Sequence, residues 1–390
     1  MYTIKTLNNI AECGLNVFKE NYKIDNDSKN PDGILLRSFN MHGMELDSNV
    51  KAIARAGAGV NNIPVDAYTE RGVVVFNTPG ANANAVKELV LTSLMASSRN
   101  LFAGVSWAKS LDGKGEEIPK LVEAGKKQFA GKEIKGKTLG IIGLGAIGAR
   151  VANDALDLDM DVIGFDPFIS VDTAWNLARN VQRAMTIEQL FENSDYITVH
   201  VPLLDATRGM FNEKAFSIMK DGVHILNFSR GELVNEKDMA AALESGKVGK
   251  YITDFPNEAV LKMKNAVPIP HLGASTKESE ENCAIMAAQQ VKEFLETGNI
   301  RNSVNFPNAF IPYTGKRRVT VYHKNVPNMV GQITNVLSNY SLNIADMVNR
   351  SRGDHAYTMI DIDNKFNGDL TPTLEEEVGQ IEGVVTVRII

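Results

Sequence analysis

Cysteine is nearly absent: Cys13 and Cys283 are the only two, and they stand far apart. Neither lies in the paired spacing that a zinc site requires, so no metal is expected, and a disulfide framework does not organise the fold. Free thiols fit a reducing, cytoplasmic setting. Long apolar runs are missing as well. No stretch approaches the ~20 apolar residues of a membrane span, and the opening Met1-Tyr2-Thr3-Ile4-Lys5-Thr6 has no apolar signal core. Nor is there an excess of basic charge: 41 Lys and Arg against 47 Asp and Glu give a net charge of −6. Nucleic acid and membrane are therefore not the expected partners. What is present, 44% hydrophobic and 23% charged residues over 390 positions, suits a globular chain. At a prior of ~150 residues per domain it should hold two or three.

The most informative stretch is Thr138-Leu139-Gly140-Ile141-Ile142-Gly143-Leu144-Gly145-Ala146-Ile147-Gly148. Its apolar run is short and bounded by glycine, as a strand buried on both faces should be. Gly143 allows a sharp turn, Gly145 keeps side chains away from a pyrophosphate, and Gly148 lets the next helix lie close to the strand. That helix start offers free N–H groups and a positive dipole end to phosphate. A second apolar run, 161–165, ends in Asp166. An acid at this spacing grips the adenosine ribose hydroxyls and repels a 2′-phosphate, which favours NAD over NADP.

Short apolar runs alternate with helical stretches along most of the chain, implying parallel βαβ units. Strands are expected near 33–36, 50–55 and 73–76, each ending in polar residues: Arg37 and Ser38, then Arg55-Ala56-Gly57, then Asn77-Thr78. A long helix is expected over 85–101 and a less ordered stretch after it. Thr186 and Gln189 have capping-box spacing, as do Ser275 and Glu278. A helix over 235–245 should stop at Gly246. Residues 302–315, with Pro307 and Pro312, show little periodicity. Beyond them the pattern is βαββαβ, of ferredoxin-like type. The expected architecture is α/β: two doubly wound parallel-sheet domains, a Rossmann-type domain inserted in a flavodoxin-like one, plus the small terminal module. Residues 1–98 and 276–305 would form the substrate-binding domain, 99–275 the NAD-binding domain, 306–316 a linker and 317–390 a regulatory module.

Arg230, Glu258 and His271 stand in loops after strands of the dinucleotide domain, where function gathers in such sheets. Removing a hydride from a 2-hydroxy acid needs a cation for the carboxylate, a base for the hydroxyl proton and a group that tunes the base. The planar fork of Arg230 suits the first. His271 suits the second, since imidazole has an ordinary pKa of ~6.5. Glu258 suits the third, because a nearby carboxylate stabilises imidazolium and fixes the tautomer.

Arg55-Ala56-Gly57, Asn77-Thr78-Pro79, the glycine turn, Phe165-Asp166-Pro167, Val201-Pro202-Leu203, Ser229-Arg230-Gly231 and Pro270-His271-Leu272-Gly273-Ala274-Ser275-Thr276 together resemble the D-2-hydroxyacid dehydrogenases. Within them the likeness is to members that oxidise 3-phospho-D-glycerate to 3-phosphooxypyruvate with NAD, the first committed step of L-serine synthesis. The resemblance implies catalytic roles for Arg230, Glu258 and His271. It implies cofactor contacts at Thr78, Gly143, Gly145, Ala146, Ile147, Gly148, Asp166, Val201, Pro202, Thr207, Phe228, Ser229, Arg230, Asp254, His271, Gly273 and Ala274. It implies substrate contacts at Arg37, Ser38, Arg55, Ala56, Gly57, Lys126 and Lys127. The spacing from Asp254 to Glu258 is one residue shorter than in the family. The terminal module resembles the ACT domain, and His323, Asn325 and Asn343 match positions that bind L-serine in inhibited relatives. A homodimer or homotetramer is implied. The alternatives are a dehydrogenase for a non-phosphorylated D-2-hydroxy acid, and an NAD-sensing binding protein without activity.

Overall fold

A computed structural model of the chain describes residues 1–363 and 370–390. The chain divides into two compact units, Met1–Asn82 with Glu280–Ile390, and Ala83–Ser279. The division therefore falls at 82/83 and 279/280 rather than at the expected 98/99 and 275/276. The helix Ala83–Ser98 moves to the second unit because Val86, Val90 and Leu94 pack in the same core as Leu139, Ile141 and Val151.

In the first unit, strands β1 (Tyr2–Thr6), β2 (Tyr22–Ile24), β3 (Gly33–Leu36), β4 (Ala52–Arg55) and β5 (Val74–Phe76) form a parallel sheet in the order β2-β1-β3-β4-β5. This is the flavodoxin-like order. Every residue of β3 is buried, as its unbroken apolar run requires. The helix Lys277–Thr297 lays Ala284, Ala287, Ala288, Val291, Phe294 and Leu295, at spacings of three and four, against Ile4, Leu35 and Phe76. Its first turn is capped by Thr276, whose Oγ1 accepts from the N–H of Ser279 at 3.1 Å, not by Ser275.

In the second unit, β6 (Thr138–Ile142), β7 (Asp161–Phe165), β8 (Gln182–Arg183), β9 (Tyr196–Val199), β10 (Val223–Asn227), β11 (Val248–Thr253) and β12 (Ala266–Pro268) form a seven-stranded parallel sheet. The order β12-β11-β10-β9-β6-β7-β8 is that of the Rossmann fold, with its switch point between β6 and β9. The expected cap at Thr186 is made; the helix expected over 235–245 runs Glu236–Ser245 with Asn235 as its cap, and Gly246 ends it with φ of 77°. The helix expected to reach residue 101 stops at Ser98. Asn100 takes the left-handed conformation, φ 52°, a cost that asparagine bears well, and its side chain receives the Lys250 ammonium. The stretch beyond is helical, as Leu101–Lys109 and Ile118–Gly125.

The terminal module belongs to the first unit. Strands β13 (Arg318–Lys324), β14 (Ile344–Arg352), β15 (His355–Ile362) and β16 (Val384–Ile389) form an antiparallel sheet in the order β14-β15-β13-β16. One face is covered by the helices Met329–Asn339 and Thr371–Gly379. From the other face Tyr322, Tyr357 and Met359 enter the core of the five-stranded sheet. Residues 306–316 are consequently no free tether. Phe306, Ala309 and Ile311 are buried, and the Phe306 ring stacks on Tyr322 with centroids 4.1 Å apart.

Candidate active site

At the end of β6 the chain turns at Gly143, φ 86°, where any Cβ would come within 2.5 Å of the His200 carbonyl oxygen. At Gly148 a Cβ would lie 2.0 Å from the Gly143 oxygen, while at Gly145 it would meet nothing within 4 Å. Two glycines are thus fixed by packing and the middle one by nothing in the protein. Open space above Gly145, at the start of the helix Gly148–Asp157, is what a pyrophosphate needs. Ala146 and Ile147 continue this turn. Beyond β7, the Asp166 carboxylate accepts the N–H of Leu144 at 2.9 Å and that of Phe168 at 2.8 Å. It is held beside the turn and only half-buried, with lone pairs left for ribose hydroxyls. The residues present fit a dinucleotide.

After β9, Val201 and Pro202 lead into a loop closed by Thr207, whose Oγ1 donates to the Pro202 carbonyl at 2.8 Å and accepts from the Leu204 N–H at 2.9 Å. After β10, Phe228 is buried and Ser229 Oγ donates to the Val199 carbonyl at 2.6 Å, tying the two strand ends together. Buried Asn227 donates to the Arg230 carbonyl at 2.8 Å and fixes that loop. Its strand position gave no hint of this. The Arg230 guanidinium is exposed and, among the described residues, bonds only its neighbour, the Ser229 carbonyl, at 2.6 Å.

Asp254, directly after β11, is 1% exposed. One carboxylate oxygen accepts the N–H of Gly273 at 3.3 Å, and the other is buried without a partner. Burial pushes its carboxyl above the ordinary carboxylate range, while the charges of His271 and Arg230 and the Gly273 N–H pull the other way. His271 follows β12 on an exposed loop, its ring edge-on to Phe255 with centroids 4.9 Å apart. Gly273 and Ala274 complete the turn.

Glu258 does not join this group. Asn257 caps the helix Glu258–Lys262 by accepting two backbone N–H groups at 3.0 Å, which sets Glu258 at the first helical position. Its side chain is 80% exposed and pairs with Lys262 at 2.5 Å. The shortened loop carries the glutamate to the surface, and the carboxylate whose charge reaches His271 is Asp254.

In the first unit the expected substrate residues cluster at the carboxyl ends of β3, β4 and β5. The N–H of Arg37 is held by Asn8 Oδ1 at 2.9 Å, and Asn8 Nδ2 donates to Ser38 at 3.2 Å. Arg55 Nε donates to the Arg37 carbonyl at 3.0 Å. The N–H of Ala56 donates to the Leu36 carbonyl at 2.8 Å. A side chain at Gly57 would meet the Arg55 guanidinium at 2.6 Å, so glycine there makes room for it. The Thr78 N–H reaches the Gly57 carbonyl at 3.1 Å, and its hydroxyl is buried without a partner. The Arg37 guanidinium is ion-paired with Glu280 at 2.7 Å. Lys126 and Lys127 sit on the short helical segment Lys126–Phe129, where Lys126 pairs with Glu123 at 2.5 Å.

The expected effector residues are engaged inside the terminal module. His323 is 1% exposed, and its ring nitrogens meet the Lys324 carbonyl and the Thr358 hydroxyl, each at 2.8 Å. Its imidazole therefore has no nitrogen left for a ligand. Asn325 donates to the Gly353 carbonyl at 3.3 Å and Asn343 to Asp363 at 2.6 Å. Among the described residues, no group of three or more His, Cys, Asp or Glu side chains could hold a metal, and no helix is long and apolar enough to cross a membrane.

Residues 91–273 match the family model of the D-isomer specific 2-hydroxyacid dehydrogenase NAD-binding domain. D-3-phosphoglycerate dehydrogenase of Archaeoglobus fulgidus is 36% identical over 271 residues, 68% of this chain and 49% of that protein. The enzyme of the same name from Methanocaldococcus jannaschii is 34% identical over 311 residues, 78% of this chain and 56% of that one. The chain spans about half the length of these curated relatives. Among solved structures, NAD+-bound 3-phosphoglycerate dehydrogenase of Entamoeba histolytica superposes with a TM-score of 0.60 at 28% identity, covering 80% of this chain and 99% of that one. D-mandelate dehydrogenase of Rhodotorula graminis shares the fold, with a TM-score of 0.65 at 23% identity over 80% of this chain and 99% of that one. The glycine turn, the sheet order and these matches agree, and the chain belongs to the D-2-hydroxyacid dehydrogenase family.

Proposed function

We propose that this protein oxidises 3-phospho-D-glycerate to 3-phosphooxypyruvate with NAD, opening L-serine synthesis. The observation that carries the reading is the convergence of Arg230, Asp254 and His271 at one end of the sheet that also holds the glycine turn. When bound, NAD supplies the acceptor for the hydride that leaves C2. Arg230 pairs with the substrate carboxylate through its exposed guanidinium. Neutral His271 takes the hydroxyl proton on a ring nitrogen as the C2 oxygen becomes a carbonyl. The Asp254 carboxylate stabilises the imidazolium that results. In the first unit Arg37 and Arg55 supply cations suited to a phosphoryl group. The curated relatives named D-3-phosphoglycerate dehydrogenase support the substrate choice.

The experiment is NADH absorbance on adding NAD and 3-phospho-D-glycerate, with glycerate and lactate as controls. Reduction with the phosphate ester alone supports the reading; reduction only with unphosphorylated acids transfers the protein to another substrate class. No reduction with any 2-hydroxy acid, together with NADH binding, leaves an NAD-sensing protein. We propose further that the terminal module places the activity under L-serine control through Asn325 and Asn343, in a homodimer or homotetramer, without a direct bond from His323. Inhibition by added L-serine, lost in Asn343→Ala, supports this, and undiminished activity at millimolar serine overturns it.

A further inference from the structure

The long helix Lys277–Thr297 lays an apolar face on the five-stranded sheet, and Gln290 stands beside that face, a turn from Ala287 and from Phe294. It is 7% exposed. Its Nε2 donates to the carbonyl of Asn77, just beyond β5, at 2.9 Å. Among the described residues its Oε1 is buried without a partner. Half of the amide is thus taken out of water with nothing in return, which is costly. An apolar side chain of similar shape would strand no polar atom on the helix, and Asn77 itself is only half-buried. Packing alone does not account for an amide at this position.

What the bonded half of the amide holds is a turn. Asn77 Nδ2 donates to the Ala58 carbonyl at 2.6 Å, and the next residue, Thr78, donates its N–H to the Gly57 carbonyl at 3.1 Å. Those carbonyls belong to the turn after β4, which carries Arg55, Ala56 and Gly57. A chain of hydrogen bonds therefore runs from the buried helix, through residues 77 and 78, to the turn where substrate contacts are expected. Gln290 is its fixed end, because a side chain packed in a core keeps one rotamer. We propose that Gln290 is a positioning residue, which sets the turn 55–59 in place for the substrate without touching the substrate itself. This rests on the reading that the protein oxidises a 2-hydroxy acid. The turn binds and does not react, so loosening it weakens substrate and transition state alike.

The test is steady-state kinetics, thermal unfolding and amide hydrogen exchange of the full chain and of Gln290→Met, which keeps the volume and removes the amide. KM for the 2-hydroxy acid should rise about three- to tenfold, the range a single hydrogen bond is worth, with kcat unchanged. Tm should stay close to that of the parent, and exchange over residues 55–59 should quicken. A merely structural amide would lower Tm and leave KM alone. Asn77→Ala cuts the same chain at its next bond, so it should raise KM by a similar factor, and the double variant should be no worse than Asn77→Ala. An unchanged KM in either single variant overturns the proposal, so Asn77→Ala decides the matter even where Gln290→Met fails to fold. Additive effects in the double variant overturn it as well. A parent that oxidises no 2-hydroxy acid contradicts the proposed function instead. Exchange over 55–59 then decides this inference alone: faster in Gln290→Met supports it, and equal to the parent overturns it.

Discussion

Asp254 and Glu258 are close in sequence and differ completely in environment: the first is 1% exposed and felt by His271, the second is 80% exposed and paired with Lys262. The chemistry of a carboxylate beside a base depends on the dielectric around it, so the buried acid carries the larger effect. Glu258→Gln should accordingly leave kcat/KM within about threefold of the parent, as expected for an exposed ion pair. His271→Ala should lower kcat by about 10²–10⁴, the usual worth of a positioned base. Asp254→Asn removes a charge that favours the imidazolium and should lower kcat, though by less than His271→Ala does. Steady-state rates from pH 5 to 9 check all three; a Glu258→Gln variant as impaired as His271→Ala would return the tuning role to the glutamate.

The strand–turn–helix element at β6 separates structural from binding glycines. Gly145→Val enters open space and should leave the unfolding midpoint unchanged while raising the Kd for NADH at least tenfold. Gly148→Val drives carbon into the Gly143 carbonyl at 2.0 Å and should cost about 1–3 kcal/mol of stability or more. Urea titration and NADH fluorescence distinguish the two. Equal destabilisation would mean that Gly145 too is fixed by packing. In the terminal sheet, Arg318 is fully buried and bonds Asp361 through Nε at 2.5 Å and Nη2 at 2.9 Å. Its Nη1 reaches the Thr297 carbonyl at 2.8 Å, anchoring β13 to the end of the long helix. Arg318→Ala leaves a buried carboxylate unpaired and should cost about 3–5 kcal/mol, read as a fall in the denaturant midpoint.

For the molecule as a whole, buried histidines set the response to acid. Burial holds His200 down to about 3 and His224 to about 4, the latter helped by Lys250 and Lys132, and both leave Nδ1 buried without a partner. The unfolded chain protonates both near the ordinary ~6.5. Between those values it therefore binds protons that the folded chain refuses, so stability is full above pH ~6.5 and falls as pH drops toward 4. The urea midpoint should decline from pH 7 to 5, less steeply in His224→Gln; a flat profile would contradict this. The positions of several strands and the glycine turn were legible in sequence because periodicity and the space a phosphate needs are local properties. Burial is not local, so the residue types pointed to Glu258 as the tuning acid and to Asp254 only as a cofactor contact, and the exposed cap Thr186 was easier to read than the partners of Arg318. The packing of Phe306 on Tyr322 joined a proline-bearing stretch to a distant strand, and no periodicity signals such a contact. The most direct measurement of the central claim is NADH formation from NAD and 3-phospho-D-glycerate by the parent chain and by His271→Ala. Steady turnover in the parent with a loss of at least a hundredfold in the variant is the expected result. Equal rates in both, or turnover of glycerate and lactate with none of the phosphate ester, would contradict it.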